Sequence, residues 1–529
     1  MQLTYQDLID EKVGTDEEAR MKFVRRAIAW HCGTDLYKDA VDAWEYFCCR
    51  NKTIREYEKT MVNALGQIVP DRFSPNHKSA SNFFNVFITQ LSQYLLANGP
   101  GWTKSTHSVQ EGTEGAVKTE KWDDEQRSFV DDWILPGTDM KLGRDFDTRL
   151  AEAGRYALIG GVSFGFWDSK RLNVFKITEF VPLFDEENGS LSAGIRFWQL
   201  DSDKPLRATL YEADGYTDYI WRRAEHGSPN GAYAGEEKGS ILHQKRAYIT
   251  VETGDKKDAE DGTMVYEGKN FPSFPIVPLW GNPQHISELV PMREKIDAYD
   301  FILNGYENDL DNAQLYWIIK SADGMSQEDM RKFLQQLHTL QIANPGNDQE
   351  VQAVTVDIPY EARQQLLRTL ETRLYKDAQA MDPSTISSGA ATATQIRAAY
   401  EPLNTKTDQF EYCVIDFLHG ILEVAGIDDT PTFVRSMVMN IQEEIQSLVM
   451  AAEYLSPAYI TRRILTVLGD GDQADAVLAE LESQSETAET DDDGGIEDFW
   501  SEAESLLNGF LGGEDDGGDS GTEKTEVSA

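Results

Sequence analysis

The feature that most constrains the fold of this chain is a short loop between two long helical segments. Apolar residues recur every three or four positions over 361–381 and again over 392–425, which predicts a helix for each segment. The loop 382–394 reads Asp-Pro-Ser-Thr-Ile-Ser-Ser-Gly-Ala-Ala-Thr-Ala-Thr and offers no acid, base or metal ligand beyond one aspartate. We therefore expect the helices to position a surface of small residues instead of a reaction centre.

Length and charge limit the classes of protein that fit. A chain of 529 residues is long enough for two to four domains or for one elongated subunit of several parts. Its formal net charge of −42 argues against retention of nucleic acid on a basic patch, because duplex DNA is held mainly by cations that displace its counterions.

Cysteine usage and hydropathy bear on the compartment. The sequence has no secretory leader pattern and no Cys-x-x-Cys spacing, so we expect free thiols in a reducing cytoplasm. The most apolar stretch, 83–96, is interrupted by polar residues, and we expect no membrane-spanning helix. The four cysteines are Cys32, Cys48, Cys49 and Cys413.

The order of patterns predicts an α+β protein. The first hundred residues look helical, a polar loop is expected over 105–119, and a helix over 145–157 leads into antiparallel strands between 162 and 252. A proline-rich segment closes that β-rich block. A helix over 287–312 with one acidic face follows, and then comes a compact insert with strands over 315–320 and 350–357 around a helix.

The end of the chain divides into a helical part and a tail. Helical patterns cover 431–454 and 456–482, whereas 483–529 is acidic, poor in apolar residues and expected to be disordered. One amphipathic helix, 496–511, is predicted inside the tail, either as a docking helix for a partner groove or as residual local structure. The residues proposed for docking are Phe499, Trp500, Leu506 and Phe510.

Motifs for catalysis or metal binding were not found. The nearest string to a phosphate-binding loop, Gly99 to Ser105, lacks the glycine before lysine, and the histidines have no zinc-ligand spacing. We expect no catalytic residue, metal or cofactor. The acidic face of 287–312 leaves two interpretations open, a solvated helix face or the carboxylates of a metal-dependent nuclease.

Seven strings occur in a fixed order along the chain. They are SNFFNVFITQLSQYLLANGP (81–100), ALIGGVSFGFW (157–167), FVPLFD (180–185), AGIRFW (193–198), FPIVPLWGN (274–282), SELVPMREKIDAYD (287–300) and SSGAATATQI (387–396). In this order they resemble strings of tailed-bacteriophage portal proteins of a siphophage family, and the resemblance spans about 57–482. Asn85 and Thr89, and the string Trp280-Gly-Asn282, depart from the family pattern.

The resemblance implies a portal fold assembled as a ring, usually of twelve subunits, at one capsid vertex. Terminase would package double-stranded DNA through its channel, without sequence-specific binding, and the ring would serve as head-tail connector and DNA exit. The implied divisions are wing 1–286, stem helices 287–314 and 359–381, clip 315–358, tunnel loop 382–394, a long wing helix 395–430 kinked at Pro402, crown 431–482 and tail 483–529.

The resemblance also implies partners and site residues. Expected partners are other copies of the chain, the terminase large subunit, head-completion or adaptor proteins, and scaffolding and major capsid proteins, in the virion and in the host cytoplasm during assembly. The site residues implied are Thr385, Ile386, Ser387, Ser388 and Gly389 at the tunnel loop; Glu294, Asp297, Glu307 and Asp311 as lumen carboxylates; and Trp317, Asp329, Arg331 and Lys332 as the clip surface that contacts terminase and head-completion proteins.

A channel for DNA of any sequence should repel phosphate and offer only weak, exchangeable contacts, which suits acidic and small hydroxylic residues. Two other classes stay open from the sequence alone. One is the metal-dependent nuclease, and the other is an acidic scaffolding or binding protein that occupies basic partners.

Overall fold

The computed structural model describes most of the chain in two compact units, 1–391 with 397–437, and 392–396 with 438–529. It contains more helix than strand and confirms the mixed α and β class. The described residues are 3–10, 16–62, 66–71, 74–109, 113, 115–123, 128–201, 203–223, 237–252, 266–312, 316–320, 328, 350–354, 360–385, 393–435, 445, 448–450, 455–468 and 477–478.

Helices dominate both ends of the described chain. In chain order they are α1 Tyr5–Ile9, α2 Glu17–His31, α3 Asp35–Phe47, α4 Lys52–Glu56, α5 Phe83–Leu96, α6 Thr138–Leu142, α7 Phe146–Gly160, α8 Arg293–Asn312, α9 Tyr360–Asp377, α10 Ala393–Ala425 and α11 Pro457–Leu468, with short 3₁₀ turns at Ile177–Glu179 and Pro383–Thr385. The first of these turns directly precedes the strand Phe180–Phe184.

The strands are mostly antiparallel neighbours in sequence. They are β1 Thr60–Val62, β2 Ile68–Pro70, β3 Pro100–Trp102, β4 His107–Ser108, β5 Val117–Asp123, β6 Ser128–Leu135, β7 Val162–Trp167, β8 Leu172–Lys176, β9 Phe180–Phe184, β10 Leu191–Trp198, β11 Leu206–Glu212, β12 Gly215–Arg223, β13 Glu237–Arg246, β14 Ile249–Glu252, β15 Tyr266–Lys269, β16 Ile276–Trp280, β17 Tyr316–Lys320, β18 Glu350–Val354 and β19 Pro431–Phe433.

Five strands form the largest sheet, in the order β13-β12-β11-β10-β9. Three-stranded sheets have the orders β16-β7-β8 and β4-β6-β5, and the pairs β1-β2, β14-β15, β17-β18 and β19-β3 complete the set. This meander confirms the antiparallel β-rich block predicted from alternation and turn signals.

One hydrophobic core forms where α2 packs against the five-stranded sheet. Phe23, Val24 and Ile28 on one face of α2 are buried against residues of the sheet that include Leu183 and Leu210. The apolar spacing of α2 gives a helix with one buried stripe, and the sheet presents alternate residues to that stripe.

The long helix α10 packs against the three-stranded sheet β16-β7-β8, and a glycine lies at each of two contact points. A Cβ atom on Gly165 of β7 would lie 2.5 Å from the ring of Phe417, and one on Gly420 of α10 would lie 2.7 Å from Val277. Both glycines therefore allow helix and sheet to approach more closely than any side chain would permit.

Several sequence predictions were wrong in their details. The segment after 431 was predicted to be helical, but Pro431–Phe433 is a strand paired with Pro100–Trp102. The first hundred residues, predicted to be helical, also contain β1, β2 and β3. Each of these strands has three residues, which is too short for local periodicity to reveal, and β3 pairs only with the distant β19.

Two further differences concern element bounds. The polar loop expected over 105–119 contains β4 and the start of β5, which pairs with β6. The helix predicted from 287 begins at Arg293, and residues 288–292 form turns. Pro291 explains the late start, because the residue before a proline is disfavoured in helical conformation.

We predict opposite effects for two glycine substitutions. Gly165→Val should lower the free energy of unfolding by about 1–3 kcal/mol, because the new side chain overlaps Phe417 in a filled core. The matched control Gly305→Ala, in α8 with nothing within 4 Å of the new Cβ, should raise it by about 0.5–1 kcal/mol. Urea unfolding monitored by tryptophan fluorescence measures both, and equal midpoints would contradict the packing argument.

We also predict a pH dependence caused by His31. The imidazole is 3% exposed, its Nε2 lies 2.7 Å from the carbonyl oxygen of Ile177, and burial lowers its pKa. The unfolded chain therefore binds a proton more readily below the ordinary value of about 6.5, and stability should rise with pH up to that value. Urea midpoints between about pH 5 and 7 test this, and His31→Gln should flatten the slope whereas His419→Gln, at an exposed position, should not.

Candidate functional site: the paired helices before the small-residue loop

Helices α8 and α9 form an antiparallel pair that ends at the small-residue loop. Lys295 Nζ lies 2.6 Å from Asp377 Oδ2 near one end, and Arg363 lies 2.5 Å from Asp309 nearer the other. Lys295 and Asp309 are fourteen positions apart on α8, and Arg363 and Asp377 are fourteen positions apart on α9. The two helices therefore stay in the same antiparallel alignment from one ion pair to the other. The strands β17 and β18, which pair with each other, lie between the two helices in sequence.

The two helices differ in charge. Helix α8 carries six carboxylates and two cations, whereas α9 carries four cations and three carboxylates. The ion pairs between them join the acidic helix to the more basic one. At 30–43% side-chain exposure these pairs fix the geometry of the helices and add little stability.

One polar face of α8 binds an extended segment from the N-terminal part of the chain. We call residues 77–81 the strap. The amide nitrogens of His77, Ser79 and Ser81 each donate to a side chain of α8, at 2.8, 2.7 and 3.0 Å. The acceptors are Asn308, Asn304 and Asp300 respectively.

The spacing explains why every second residue of the strap reaches the helix. Two residues of extended chain span about 6.6 Å, and four residues of α-helix rise about 6.0 Å. Asn304 also donates from Nδ2 to the carbonyl oxygen of Ser79 at 2.8 Å, so its amide binds both main-chain groups of that residue. Helix side chains thus replace the partner strand that an extended segment usually needs.

Asp297 and Asp300 are the most heavily bonded carboxylates of this face. Asp297 accepts hydrogen bonds from the Tyr46 hydroxyl at 2.6 Å, Asn51 Nδ2 at 2.9 Å and the Thr53 hydroxyl at 3.0 Å. Asp300 is fully buried and also accepts from Asn51. Burial raises the pKa of Asp300, and the hydrogen bonds from Asn51 and Ser81 oppose that rise.

Two more acidic residues bind the strap at its exposed side. The Ser79 hydroxyl donates to Glu307 at 2.9 Å, and Asp311 Oδ2 lies 2.5 Å from His77 Nε2. The acidic face of α8 is therefore neither wholly solvated nor arranged around a metal, because most of its carboxylates are committed to the N-terminal segment. Among the described residues, no group of His, Cys, Asp and Glu is placed to hold a metal ion.

The end of α9 is fixed where the chain turns toward the loop. Gln379 adopts a left-handed backbone (φ 53°), and Ala380 N donates to the Tyr375 carbonyl at 3.0 Å, which is the Schellman arrangement. Lys406 Nζ donates to the carbonyl oxygen of Ala378 at 3.0 Å and lies 2.7 Å from Glu288.

The start of the loop is also held. Gln90 Nε2 of α5 donates to the Met381 carbonyl oxygen at 3.0 Å, and Ser384 N donates to Asp382 Oδ1 at 2.9 Å. The described chain continues to Thr385 and resumes at Ala393, where α10 begins. The base of the loop is thus bonded to elements that are distant in sequence.

The structure describes the predicted site residues unevenly. Glu294 is exposed on α8, while Asp297, Glu307 and Asp311 bond to the N-terminal part. Thr385 ends a 3₁₀ turn, and Trp317 lies in β17 opposite Ala353. The other predicted residues lie outside the described part of the chain: Ile386, Ser387, Ser388, Gly389, Asp329, Arg331, Lys332, Phe499, Trp500, Leu506 and Phe510.

Sequence reasoning did not identify the residues that bind the strap. Asp300, Asn304 and Asn308 lie on successive turns of one face of α8, and all three are buried. Buried asparagines on an otherwise amphipathic helix were the available signal, since amides in that position need hydrogen-bond partners.

The described residues contain no helix that is both long and apolar enough to span a bilayer.

Comparison with known proteins gives a consistent set of matches. A family model described as "Phage portal protein, SPP1 Gp6-like" matches residues 50–488. The "Portal protein" of Bacillus phage SPP1 is 21% identical over 461 residues, covering 84% of this chain and 82% of the relative. The "Portal protein" of Clostridium phage phiCD119 is 26% identical over 188 residues, covering 33% of this chain and 41% of the relative.

Solved structures give weaker likenesses. "Neck of empty GTA particle computed with C6 symmetry" aligns with a TM-score of 0.34 at 12% identity, over 73% of this chain and 90% of that one. "Neck of native GTA particle computed with C12 symmetry" aligns with a TM-score of 0.33 at 12% identity, over 72% of this chain and 89% of that one.

We predict that Asn304→Ala releases the strap. The substitution leaves both main-chain groups of Ser79 without their partner and should lower the free energy of unfolding by about 2 kcal/mol. Hydrogen exchange of the Ser79 amide should become faster. In the control Glu307→Gln, the side chain can still accept from the Ser79 hydroxyl, so exchange at that amide should stay slow; an unchanged rate in Asn304→Ala would contradict the role given to Asn304.

Proposed function

The chain belongs to the SPP1 Gp6-like family of phage portal proteins, and from that premise we propose how its helices and loop serve the DNA channel. Portal proteins are structural components of the virion at the capsid vertex, and this one is the head-tail connector through which the genome passes. The observation that carries this conclusion is the family match over 50–488, which includes both members of the helix pair and the loop that follows them.

We assign α8 and α9 to the stem of the channel. Support comes from their antiparallel alignment and from the exposure of α9, on which Tyr360 and Leu366 are 57% and 45% exposed. A helix with this much exposed apolar surface suits a position between neighbouring copies. The ring would hold twelve copies, and the number twelve rests on the resemblance to portal proteins.

The lumen assignment covers Glu294, Asp297, Glu307 and Asp311. Glu294 is the strongest of these candidates because it is exposed, whereas the other three bond to the N-terminal part. A carboxylate facing the channel repels phosphate and limits adhesion of DNA. Asp297, Glu307 and Asp311 would add to the negative electrostatic potential of the channel without touching the DNA directly.

The loop 382–394 would form the narrowest part of the channel, with Thr385, Ile386, Ser387, Ser388 and Gly389 nearest to DNA. The support is positional, since its base is bonded to α5 through Met381 and the preceding helix end to α10 through Lys406. A loop held at its base can resist the force of moving DNA while its small side chains make weak contacts.

The remaining parts of the proposal follow the order of the chain. The clip surface, with Trp317, Asp329, Arg331 and Lys332, would meet the terminase large subunit and then head-completion proteins. Residues 431–482 would form the crown, its first three residues now a strand. The tail helix with Phe499, Trp500, Leu506 and Phe510 would dock in a groove of a partner protein.

The competing classes have less support. A nuclease would need carboxylates free to hold metal ions, whereas Asp297 and Asp300 each accept hydrogen bonds from the N-terminal part. An acidic scaffolding protein would not need the strict pairing of α8 with α9.

We predict that purified protein forms rings with a mass near twelve times 59.6 kDa, and that Gly389→Leu and Ser388→Leu leave those rings intact but reduce DNA packaging. Every copy would add bulk to the same narrow ring, which should obstruct DNA. Electron microscopy measures ring formation, and nuclease-protected DNA in an in vitro packaging reaction measures transport. The control Ser190→Leu, in an exposed turn, should package normally; normal packaging by both loop variants would remove the loop from the channel.

A further inference from the structure

Strands β1 and β2 form a ribbon whose apolar side chains are open to solvent. Val62 and Ile68 lie opposite each other in register and are 67% and 75% exposed. Met61 pairs with Val69 and is 37% exposed. A two-stranded hairpin is only marginally stable in water by itself, so this ribbon lacks, within the described part of the chain, the apolar cover that such hairpins need.

The base of the ribbon is firmly attached. Asp71 N donates to the Lys59 carbonyl oxygen at 2.8 Å, and Lys59 Nζ donates to the Pro75 carbonyl oxygen at 2.8 Å, just before the strap. The ring of Tyr57 meets Phe301 of α8 edge to face, with 5.2 Å between centroids. These two rings are themselves 45% and 37% exposed, so an exposed apolar surface begins on α8 and continues toward the ribbon.

Charge identifies the occupant of this surface. The segment 60–70 reads TMVNALGQIVP and has no ionisable side chain, in a chain with a net charge of −42. Copies of such an acidic protein repel one another wherever charged surfaces meet. An uncharged apolar ribbon is a place where a second copy can approach without that repulsion, whereas attraction of a basic partner would call for carboxylates here.

We propose that the β1–β2 ribbon is an assembly contact that packs against the neighbouring copy in the portal ring. The proposal rests on the ring assembly proposed above. Ring interfaces are head-to-tail, so the ribbon of each copy meets a different surface of the next copy, and one such contact is made per subunit. The ribbon is small, but the same contact would be repeated between every pair of neighbouring copies in the ring.

The test uses the full chain and places a charge on the ribbon. Val62→Asp and Ile68→Asp should raise the concentration for half-assembly about tenfold or more, since an apolar side chain would no longer be buried. The matched control Leu200→Asp, at a position 87% exposed, should assemble as the unmodified chain does. Mass photometry over a dilution series measures assembly, and monomer unfolding midpoints should be unchanged because both side chains already face solvent.

A photo-cross-linking residue in place of Val62 gives a second measurement that does not depend on a destabilising charge. Irradiation should link neighbouring copies, and the same residue in place of Leu200 should not. If the unmodified chain forms no rings, both the ring and the ribbon proposals fail. If it forms rings while the ribbon variants assemble at the same concentration and position 62 links no copies, or links only another protein, the ribbon proposal alone is overturned.

Discussion

The bonding of the strap to α8 is the interaction on which the rest of this part of the fold depends. A long helix with six carboxylates cannot bury its polar face against an apolar surface, and it has only two cations of its own. The chain supplies neutral donors to this polar face. The Ser81 amide donates to the Asp300 carboxylate, and the amides of residues 77 and 79 donate to the asparagines of the same face. Those amides come from a segment more than 200 residues away in sequence. Hydrogen bonds, in addition to packing, therefore join the N-terminal part to the helix pair.

This arrangement also separates two uses of carboxylates on one helix. Asp300 is buried, and burial raises its pKa because the charged form loses its hydration, while the hydrogen bonds from Asn51 and Ser81 oppose that rise. Tyr46 has its pKa raised to about 12, first by burial and then by its bond to Asp297, so it remains a donor throughout the physiological range. Structural carboxylates of this kind differ from Glu294, which is exposed to solvent.

The sequence predicted the helices and most of the sheet because both have local periodicity. The prediction placed the helix after the loop within one residue of its observed start at Ala393, and its end at Ala425 was correct. It failed at β3 and β19, since a pair of three-residue strands 329 residues apart has no local signature. It also treated the acidic residues of α8 as one class, because spacing shows that Asp297 and Asp311 share a face but cannot show which distant donors reach that face.

The same limit explains why the ribbon was missed and what it adds. Hydrophobic periodicity detects residues that are buried inside the folded chain. Val62 and Ile68 are apolar residues that the folded chain leaves exposed. In the proposed ring, some apolar surface of each copy would be buried against its neighbour. A strongly acidic chain makes such a contact most easily where charge is absent, and 60–70 is such a segment. On the proposed assignment, the acidic surface that limits adhesion of DNA would also restrict where copies can join. The proposed contact lies next to α8, where the Tyr57 ring meets Phe301.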